Sequence, residues 1–451
     1  MSRSARVRAQ KRGALPSRLS WVNEAARRDR QARFTSLLHH VDEDALERSF
    51  RRLRRRASPG VDGETVARYE EDLQHNLRDL HERVHAGRYR AQPVRRVSIP
   101  KPQGGRRPLG IPVLEDKIVQ GAVAEVLHAI YEADFKGFSY GFRAGRSPHD
   151  ALAALHQAVM NKGVNWVLDA DIRSFFDSVD HEWLLRMVAH RVADRRVLRL
   201  IRQWLEAGIL DEGVHIRTDK GTPQGSVISP LLANVFLHYV LDLWVHRWRR
   251  QQARGRVIIV RYCDDFVLGF TAEQDARRMM DDLAARLGRF GLALHADKTR
   301  LIEFGKLCAL RRRRRGERRP ETFVFLGFTH YCGWTRQGRF MLRRTTQRDR
   351  MTRKLRELRT EARRRMHQPV AQQQRWLSQV LRGHYAYFGL SGNWRALSNF
   401  YWQVLTLWGR SLRRRSQRGL TWAHFAELLT RFPLPRPRMN PSWIDRLAAI
   451  G

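Results

Sequence analysis

The sequence predicts an α/β (α+β) domain followed by an all-helical region, and three observations support this division. Between residues 90 and 330, short apolar runs alternate with helical stretches, as is typical of α/β domains. Beyond about residue 340, apolar side chains recur mainly at helical spacing, among many arginines. The first 56 residues are basic and mostly helical in pattern. We therefore expect three parts, at residues 1–56, 57–335 and 336–451.

The net charge restricts the partners that this chain can have. Lys and Arg total 85 against 45 Asp and Glu, which gives a net charge of +40 and a pI near 11.5. Such a charge favours nucleic acid as the partner, with an anionic membrane surface as the alternative. No apolar run is long enough for a spanning helix, and the opening residues lack a signal-peptide core. Three cysteines without disulfide or metal spacing indicate a reducing, cytoplasmic compartment.

Several local patterns predict helices and one loop. Val119, Val123, Val126, Leu127 and Ile130 share one helical face. Ser147 is a good helix N-cap, because Pro148 follows it and Asp150 lies in the first turn. The run RRRRRGERR at 311–319 indicates a solvated loop, and residues 343–365 predict a strongly basic helix.

A carboxylate pair lies between two apolar runs in residues 256–270. The runs have the length and composition of strands, which predicts a hairpin with Cys263, Asp264 and Asp265 at its tip. Adjacent acids between buried strands repel each other and lose hydration, and a divalent cation compensates both costs. A plain polar turn is the alternative, since Asp is common in turns.

A second strand supplies further carboxylates. Residues 164–172 alternate between two faces, which places Asp169 and Asp171 on the same side. If this strand neighbours the hairpin, Asp171 joins Asp264 and Asp265 around two metal ions. Two ions about 4 Å apart can activate a primer 3′-hydroxyl and stabilise a pyrophosphate leaving group. We interpret Asp169 as structural.

Two Gly- and Pro-rich segments have weaker signals. Residues 221–230 form a tight turn in which Gly225 lets the backbone approach a ligand closely. Residues 99–112 predict a hairpin that presents cations suited to a triphosphate. Each segment alone is more often a solvated turn than a ligand site.

Taken together and in this order, the segments resemble the reverse transcriptases encoded by bacterial group II introns, which are also maturases. The resemblance covers nearly the whole chain and is carried by residues 58–63, 139–143, 171–176, 223–230, 262–265, 294–299, 325–328 and 382–388. It implies a right-hand polymerase, with fingers and a palm whose antiparallel sheet carries the catalytic hairpin. A helical thumb, or maturase region, would follow.

The resemblance also implies catalytic roles. Asp171, Asp264 and Asp265 match metal-binding aspartates, with the carbonyl of Ile172 as a further ligand. The ions would be two Mg²⁺, with Mn²⁺ as an alternative. Lys298 matches a lysine that donates a proton to the leaving pyrophosphate.

Further matched positions imply contacts with nucleotide and primer. Phe176 matches the steric gate that rejects a 2′-hydroxyl group. Lys101 and Arg107 match the triphosphate clamp, and Gln224 and Gly225 match the nucleotide pocket. The primer grip is matched by Phe325, Leu326, Gly327 and Phe328. From its charge and its place after the grip, we expect the basic helix to bind nucleic acid through Arg353, Lys354 and Arg356.

The implied reaction is the synthesis of DNA on an RNA template, from the 3′-hydroxyl of a DNA or RNA primer and with dNTPs. Group II intron RNA is a further expected partner, no membrane is expected, and the location would be the bacterial cytoplasm. Two features of the sequence depart from the family pattern. Cys263 stands where Ala is usual, and no Cys follows Cys332, so no zinc-supported endonuclease domain is expected.

Two alternatives remain open at this point. A splicing factor that only binds intron RNA needs the basic surface but not the carboxylates. A domesticated reverse transcriptase in DNA repair or antiphage defence would keep the carboxylates and lack the endonuclease.

Overall fold

The computed structural model describes residues 17–100, 106–211, 214–216, 219–222, 225–317, 320–415 and 420–440. The predicted sites Lys101 and Gln224 lie outside these ranges, and of Arg107 only the backbone is described. No helix in the described ranges is long and apolar enough to cross a membrane.

The N-terminal part is helical. Its helices are α1 (Ser20–Arg28), α2 (Glu43–Arg52), α3 (Val66–Glu71) and α4 (Leu73–His85). Asp42 caps α2, because its carboxylate accepts a hydrogen bond from the amide of Ala45 at 2.8 Å. Both α1 and α2 pack against a later helix, residues 114–134, so they share its core.

Next comes a hairpin, whose strands are β1 (Val94–Pro100) and β2 (Arg106–Ile111). The long helix α5 (Leu114–Asp134) follows and is buried over most of its length. Helix α6 (Pro148–Asn161) begins at the predicted cap, where Ser147 and Asp150 form a capping box. The two helices predicted from the sequence are thus confirmed.

The central sheet contains the candidate site. Its strands are β3 (Trp166–Asp171), β6 (Val257–Tyr262), β7 (Asp265–Phe270) and β8 (Arg300–Glu303). Their order in the sheet is β6-β7-β3-β8, and all neighbouring strands are antiparallel. Between β3 and β6 lie α7 (Phe175–Ser178), α8 (His181–Ala189), α9 (Arg195–Glu206), β4 (Ile209–Asp211), β5 (Val214–Ile216), α10 (Ser229–Leu237) and α11 (Leu243–Gln251). A π-helical segment, His238–Asp242, joins α10 to α11.

Two further sheets accompany this one, the first with four strands and the second with three. Strands β4 and β5 extend the first hairpin into a sheet of order β2-β1-β4-β5. After β7 come α12 (Glu273–Gly288) and, beyond β8, α13 (Lys306–Arg314). A third sheet then follows, formed by β9 (Phe323–Phe325), β10 (Phe328–Trp334) and β11 (Phe340–Thr346).

The C-terminal region is helical, with α14 (Arg348–Arg364), α15 (Val370–Phe388), α16 (Trp394–Arg413) and α17 (Trp422–Arg431). These helices pack around their own apolar cluster, which includes Leu377, Phe400 and Trp408. A mixed α/β domain with an added helical region fits the right-hand polymerase fold. The predicted boundary at 335/336 falls in the turn that joins the paired strands β10 and β11.

Two local predictions were wrong. Residues 311–314 are not a loop, because they form the last turn of α13. Arg is a good helix former, and the row of arginines is largely exposed on this helix. Likewise, Arg343 and Arg344 are not helical. They lie on β11, opposite Tyr331 and His330, and the helix begins at Arg348.

Candidate active site

Two aspartates face each other across neighbouring strands of the central sheet. In the antiparallel register of β3 and β7, Asp171 lies opposite Asp265. Asp265 is also paired with Tyr262 on β6, so Cys263 and Asp264 form the two-residue turn of the β6–β7 hairpin. The strand of Asp171 thus neighbours the hairpin, which was the condition for Asp171, Asp264 and Asp265 to meet at one end of the sheet.

The electrostatic environment of Asp265 indicates unbalanced negative charge. Loss of hydration, together with the carboxylates of Asp169 and Asp264, raises the pKa of Asp265 to about 7. The backbone amide of Leu326 donates a hydrogen bond that acts in the opposite direction. A group that loses water among like charges binds a cation readily.

Asp169 lies on the same face of β3 as Asp171, two residue pairs further from the turn. Loss of hydration raises its pKa to about 6, and Arg300 partly offsets this effect. Arg300 is 3.8 Å from the Asp169 carboxylate. The pairing with Arg300 agrees with a structural role for Asp169.

Lys298 lies beside Asp171. Its Nζ atom is 2.9 Å from Oδ2 of Asp171, and both side chains are partly exposed. The amide of His295 donates to the carbonyl of Asp171 at 2.8 Å, which fixes the Lys298 segment to the end of β3. Ile172 is buried and pairs with Leu294 of the same segment.

The donor set fits a divalent cation. Carboxylate and carbonyl oxygens are the ligands that Mg²⁺ prefers. A cation would offset the lost hydration and the neighbouring carboxylates that raise the pKa of Asp265. In the described ranges, no three His, Cys, Asp or Glu side chains already converge closely enough to hold a metal. The Asp171 carboxylate is instead paired with Lys298.

Phe176 lies between β3 and the Gly-rich turn. Its half-buried ring makes an edge contact with that of Phe175, at a centroid distance of 5.3 Å. Its carbonyl accepts a hydrogen bond from the amide of Thr222 at 2.7 Å. The turn is thereby held against Phe176.

The same turn approaches the N-terminal hairpin closely at Gly225. This residue has φ of +119°, and a Cβ atom there would lie 2.5 Å from the carbonyl oxygen of Gly110 on β2. Gly is therefore required both by backbone conformation and by space. Arg107 pairs with Ile99 in the hairpin backbone. The hairpin itself is confirmed, whereas its phosphate contacts stay a prediction.

The predicted primer grip is the turn between β9 and β10. Leu326 and Gly327 have φ of +49° and +78°, and Phe325 and Phe328 are fully buried on either side. The carbonyl of Leu326 accepts a hydrogen bond from the hydroxyl of Tyr387 at 2.9 Å. Since the Leu326 amide donates to Asp265, this turn connects the candidate site to the C-terminal helices.

The basic helix α14 starts beside this turn. A Cβ atom on Gly327 would lie 2.7 Å from Nη1 of Arg350 in its first turn. Arg353 and Lys354 are half-buried and Arg356 is exposed, and Lys354 lies 3.2 Å from Glu357. This position suits a nucleic-acid contact next to the grip, which stays a prediction.

Sequence reasoning missed a buried residue that supports the hairpin turn. Arg261 on β6 is completely buried, and its Nη1 donates to the carbonyl of Cys263 at 3.0 Å. It also donates to Asn234 and Ser139, at 2.9 Å and 2.8 Å. A charged residue inside the apolar run of β6 was the available signal, because buried arginines need several acceptors.

Cys263 has a structural environment rather than a reactive one. It is buried with φ of +60°, and a Cβ atom on Gly141 would lie 2.4 Å from its amide nitrogen. Burial, and then the neighbouring Asp264, raise the pKa of the thiol to about 12. The thiol therefore stays protonated at neutral pH and is a poor nucleophile.

Comparisons with known proteins agree with this geometry. Residues 99–330 match the family described as Reverse transcriptase (RNA-dependent DNA polymerase). Protein YkfC of Escherichia coli (strain K12) is 35% identical over 302 residues, which are 58% of this chain and 78% of that protein.

Two further relatives are named for introns. The group II intron-encoded protein LtrA of Lactococcus lactis subsp. cremoris is 41% identical over 162 residues, 35% of this chain and 27% of that protein. Nuclear intron maturase 1, mitochondrial, of Arabidopsis thaliana is 30% identical over 95 residues, 21% of this chain and 13% of that protein. The matched parts thus cover less than a third of either protein.

Proposed function

The chain belongs to the family of reverse transcriptases, or RNA-dependent DNA polymerases, and on this premise we propose that it extends a primer 3′-hydroxyl with dNTPs along an RNA template. The observation that carries the proposal is the pairing of Asp171 with Asp265 across β3 and β7, with Asp264 in the adjoining turn. A splicing factor without catalysis would not need this arrangement of carboxylates.

Asp171, Asp264 and Asp265, with the carbonyl of Ile172, would hold two Mg²⁺ ions. Such ions lower the pKa of the primer hydroxyl and stabilise charge on the leaving group. Nζ of Lys298 engages only Oδ2 of Asp171, so Oδ1 would be available to a cation while this contact persists. The ammonium group of Lys298 would then lie next to the metal site.

In the proposed reaction, the primer 3′-oxygen forms a bond to the α-phosphorus of the dNTP as the bond to the bridging oxygen breaks. The hydroxyl proton passes to solvent, and pyrophosphate leaves. Lys298 would donate its proton to that pyrophosphate, which makes it a better leaving group. Its present distance from Asp171, 2.9 Å, supports this assignment because it places the ammonium group at the edge of the carboxylate cluster.

The nucleotide would lie between Phe176 and the N-terminal hairpin. The half-buried ring of Phe176 is the proposed barrier to a 2′-hydroxyl, and Gly225 is the proposed floor of the pocket, together with Gln224. Lys101 and Arg107 on the hairpin are proposed to bind the triphosphate. The hydrogen bond from Thr222 to Phe176 supports this assignment, because it fixes the turn at the side of the ring.

A role as an intron maturase is the second proposed function. The net charge of +40 favours a large polyanion, and relatives that carry intron names match parts of the chain. We propose group II intron RNA as this partner. Preferential binding of a folded group II intron RNA over an unrelated RNA of equal length would support the role, and equal binding would contradict it.

Primer extension tests the principal proposal. The full chain is incubated with an RNA template, an annealed DNA primer and dNTPs, with Mg²⁺ or with EDTA. We expect template-length DNA only with the metal, and the same protein should extend poorly when rNTPs replace dNTPs. A purified, folded chain that binds the primer–template and yet extends no primer at any Mg²⁺ concentration would overturn the proposal.

A further inference from the structure

A cleft between α14 and α16 lies outside the site described above. Its volume is about 370 Å³. Its floor is apolar and contains Leu355, Met366 and Leu407, and its rim carries five arginines: Arg359, Arg363, Arg410, Arg413 and Arg414. None of the described residues that line it is Asp or Glu.

The arginines of the rim are not neutralised by any acidic residue in the part of the chain that the structure describes. All five are exposed, and none forms an ion pair within the described ranges. The nearby acids of α14 are engaged elsewhere, because Glu357 pairs with Lys354, and Glu361 pairs with Arg364 and Arg365. Five like charges around one concave surface repel each other, so an anionic ligand would stabilise this arrangement.

Two exposed aromatic rings lie on the helices near the cleft. Trp402 is 64% exposed and lies on α16, one turn before the cleft residue Thr406. Trp422 on α17 is 58% exposed, and the guanidinium of Arg413 lies 4.8 Å from its ring centroid. An exposed indole ring offers a flat surface on which an unpaired nucleobase can stack favourably.

We infer that this cleft binds a single-stranded RNA segment, with phosphates on the arginine rim and bases stacked on Trp402 and Trp422. Arginine with aromatic side chains is the combination that recognises unpaired RNA, whereas a duplex hides its base faces. The inference rests on the proposed function in one respect, since RNA is the polyanion that such an enzyme meets.

Most of the cleft lies further along α14 than the proposed path of template and primer. That path passes the primer grip, which adjoins Arg350 in the first turn of α14, and the proposed contacts end at Arg356. Apart from Leu355, the cleft residues of this region lie beyond Arg356, on the last turns of the helix and just after its end, at Arg359, Ala362, Arg363 and Met366. RNA in the cleft should therefore bind while the catalytic site is filled.

The test measures fluorescence anisotropy of a labelled, unstructured U-rich RNA with the full chain. A saturating unlabelled RNA–DNA primer–template is present, so that the catalytic site is occupied. The cleft variant is R359Q/R363Q/R410Q. The control variant is R375Q/R382Q/R395Q, which removes three exposed charges from α15 and the start of α16, outside the cleft. Because all six arginines are exposed, both variants should fold.

We expect the cleft variant to bind the RNA about tenfold more weakly, and its log–log salt slope to fall by about 0.7 for each lost phosphate contact. The RNA affinity of the control variant should stay within about twofold of wild type, because it loses net positive charge but no contact in the cleft. W402A should also weaken binding by about fivefold or more, through lost stacking, and W402F should recover part of it.

Three outcomes would overturn the inference. Equal losses in both triple variants would show that only net charge matters, and displacement of the labelled RNA by the primer–template would place it in the catalytic site. Binding of polyglutamate in place of RNA would assign the cleft to an acidic protein. Primer extension at saturating primer–template is measured alongside. If wild type fails to extend while the cleft variant still loses RNA, the proposed polymerase function fails and the cleft assignment stands.

Discussion

Arg261 and Asp242 form a buried, two-bond ion pair behind the β6–β7 hairpin. Nε and Nη2 of Arg261 lie 2.7 Å and 2.6 Å from the two carboxylate oxygens of Asp242, and both side chains are fully buried. Asp242 ends the π-helical segment His238–Asp242. Since Arg261 also donates to the Cys263 carbonyl, the pair fixes the turn that carries Asp264.

The first prediction concerns this pair. R261M leaves Asp242 buried without its cation, which should lower the free energy of unfolding by about 3–5 kcal/mol. Chemical denaturation measures this loss. The matched control is R256M, since Arg256 is exposed just before the same strand and should tolerate the change. Equal stability of the two variants would contradict the role of Arg261.

R261M should also affect catalysis, because Arg261 positions the turn that carries Asp264. At a temperature where R261M remains folded, we expect a lower rate of nucleotide addition and a higher Mg²⁺ concentration at half activity, because the turn that carries Asp264 is less fixed. R261K should recover only part of both values, since Lys cannot form the bidentate contact. A Mg²⁺ dependence identical to wild type would show that Arg261 stabilises the fold alone.

The second prediction tests the proposed metal ligands. D264N should reduce Mg²⁺-dependent primer extension by about 10²–10⁴-fold, because a ligand worth several kcal/mol of transition-state stabilisation is lost. Affinity for the primer–template should change little, as the basic surface supplies it. D281N is the control, since Asp281 is an exposed carboxylate of the same region, on α12. Extension by D264N at the wild-type rate would contradict the assignment.

These sites show which parts of the structure the sequence could predict. The alternation of β3 and the apolar runs around Asp264 predicted two strands with carboxylates at one end, and the register of Asp171 with Asp265 confirms that arrangement. Such patterns are local, because side chains alternate along any strand. The start of a helix at Ser147 and Pro148 was likewise predicted from a local signal, its N-terminal cap.

Long-range contacts could not be predicted in this way. The partners of Arg261 come from positions 19, 27 and 122 residues away in the chain, at Asp242, Asn234 and Ser139. No periodicity in one segment encodes them. Arg311 to Arg314 were interpreted as a loop because a run of like charges usually is solvated, yet the run is both exposed and helical. An exposed run of charges can be helical or a loop, and composition alone does not distinguish the two.

The third prediction concerns Phe176 as a barrier to ribonucleotides. F176A or F176V should raise the efficiency of rNTP incorporation relative to dNTP by about tenfold or more, since a smaller side chain leaves room for a 2′-hydroxyl. Single-turnover addition of UTP and dTTP opposite the same template base measures the ratio. F176Y is the size-matched control and should keep the discrimination. An unchanged ratio in F176A would mean that the ring only packs against Phe175.

The fourth prediction concerns the basic helix α14. The variant R353Q/K354Q/R356Q removes three positive charges within two turns of the primer grip, and the adjacent Arg350 already contacts Gly327. We expect shorter products in single-encounter extension and a log–log salt slope that falls by roughly 0.7–0.9 for each lost phosphate contact. Addition of one nucleotide at saturating primer–template should be largely retained, because the carboxylates lie on β3 and the β6–β7 turn.

The control for α14 again is R375Q/R382Q/R395Q, which has the same net charge. A solvated face is the usual role of a charge run, and Lys354 already has a partner in Glu357 at 3.2 Å. A solvated helix would therefore give the two triple variants equal product lengths and equal salt slopes. A loss confined to the α14 variant would instead place the duplex along this helix, since general charge is matched. Equal behaviour of both would require another path for the duplex past Leu326 and Gly327.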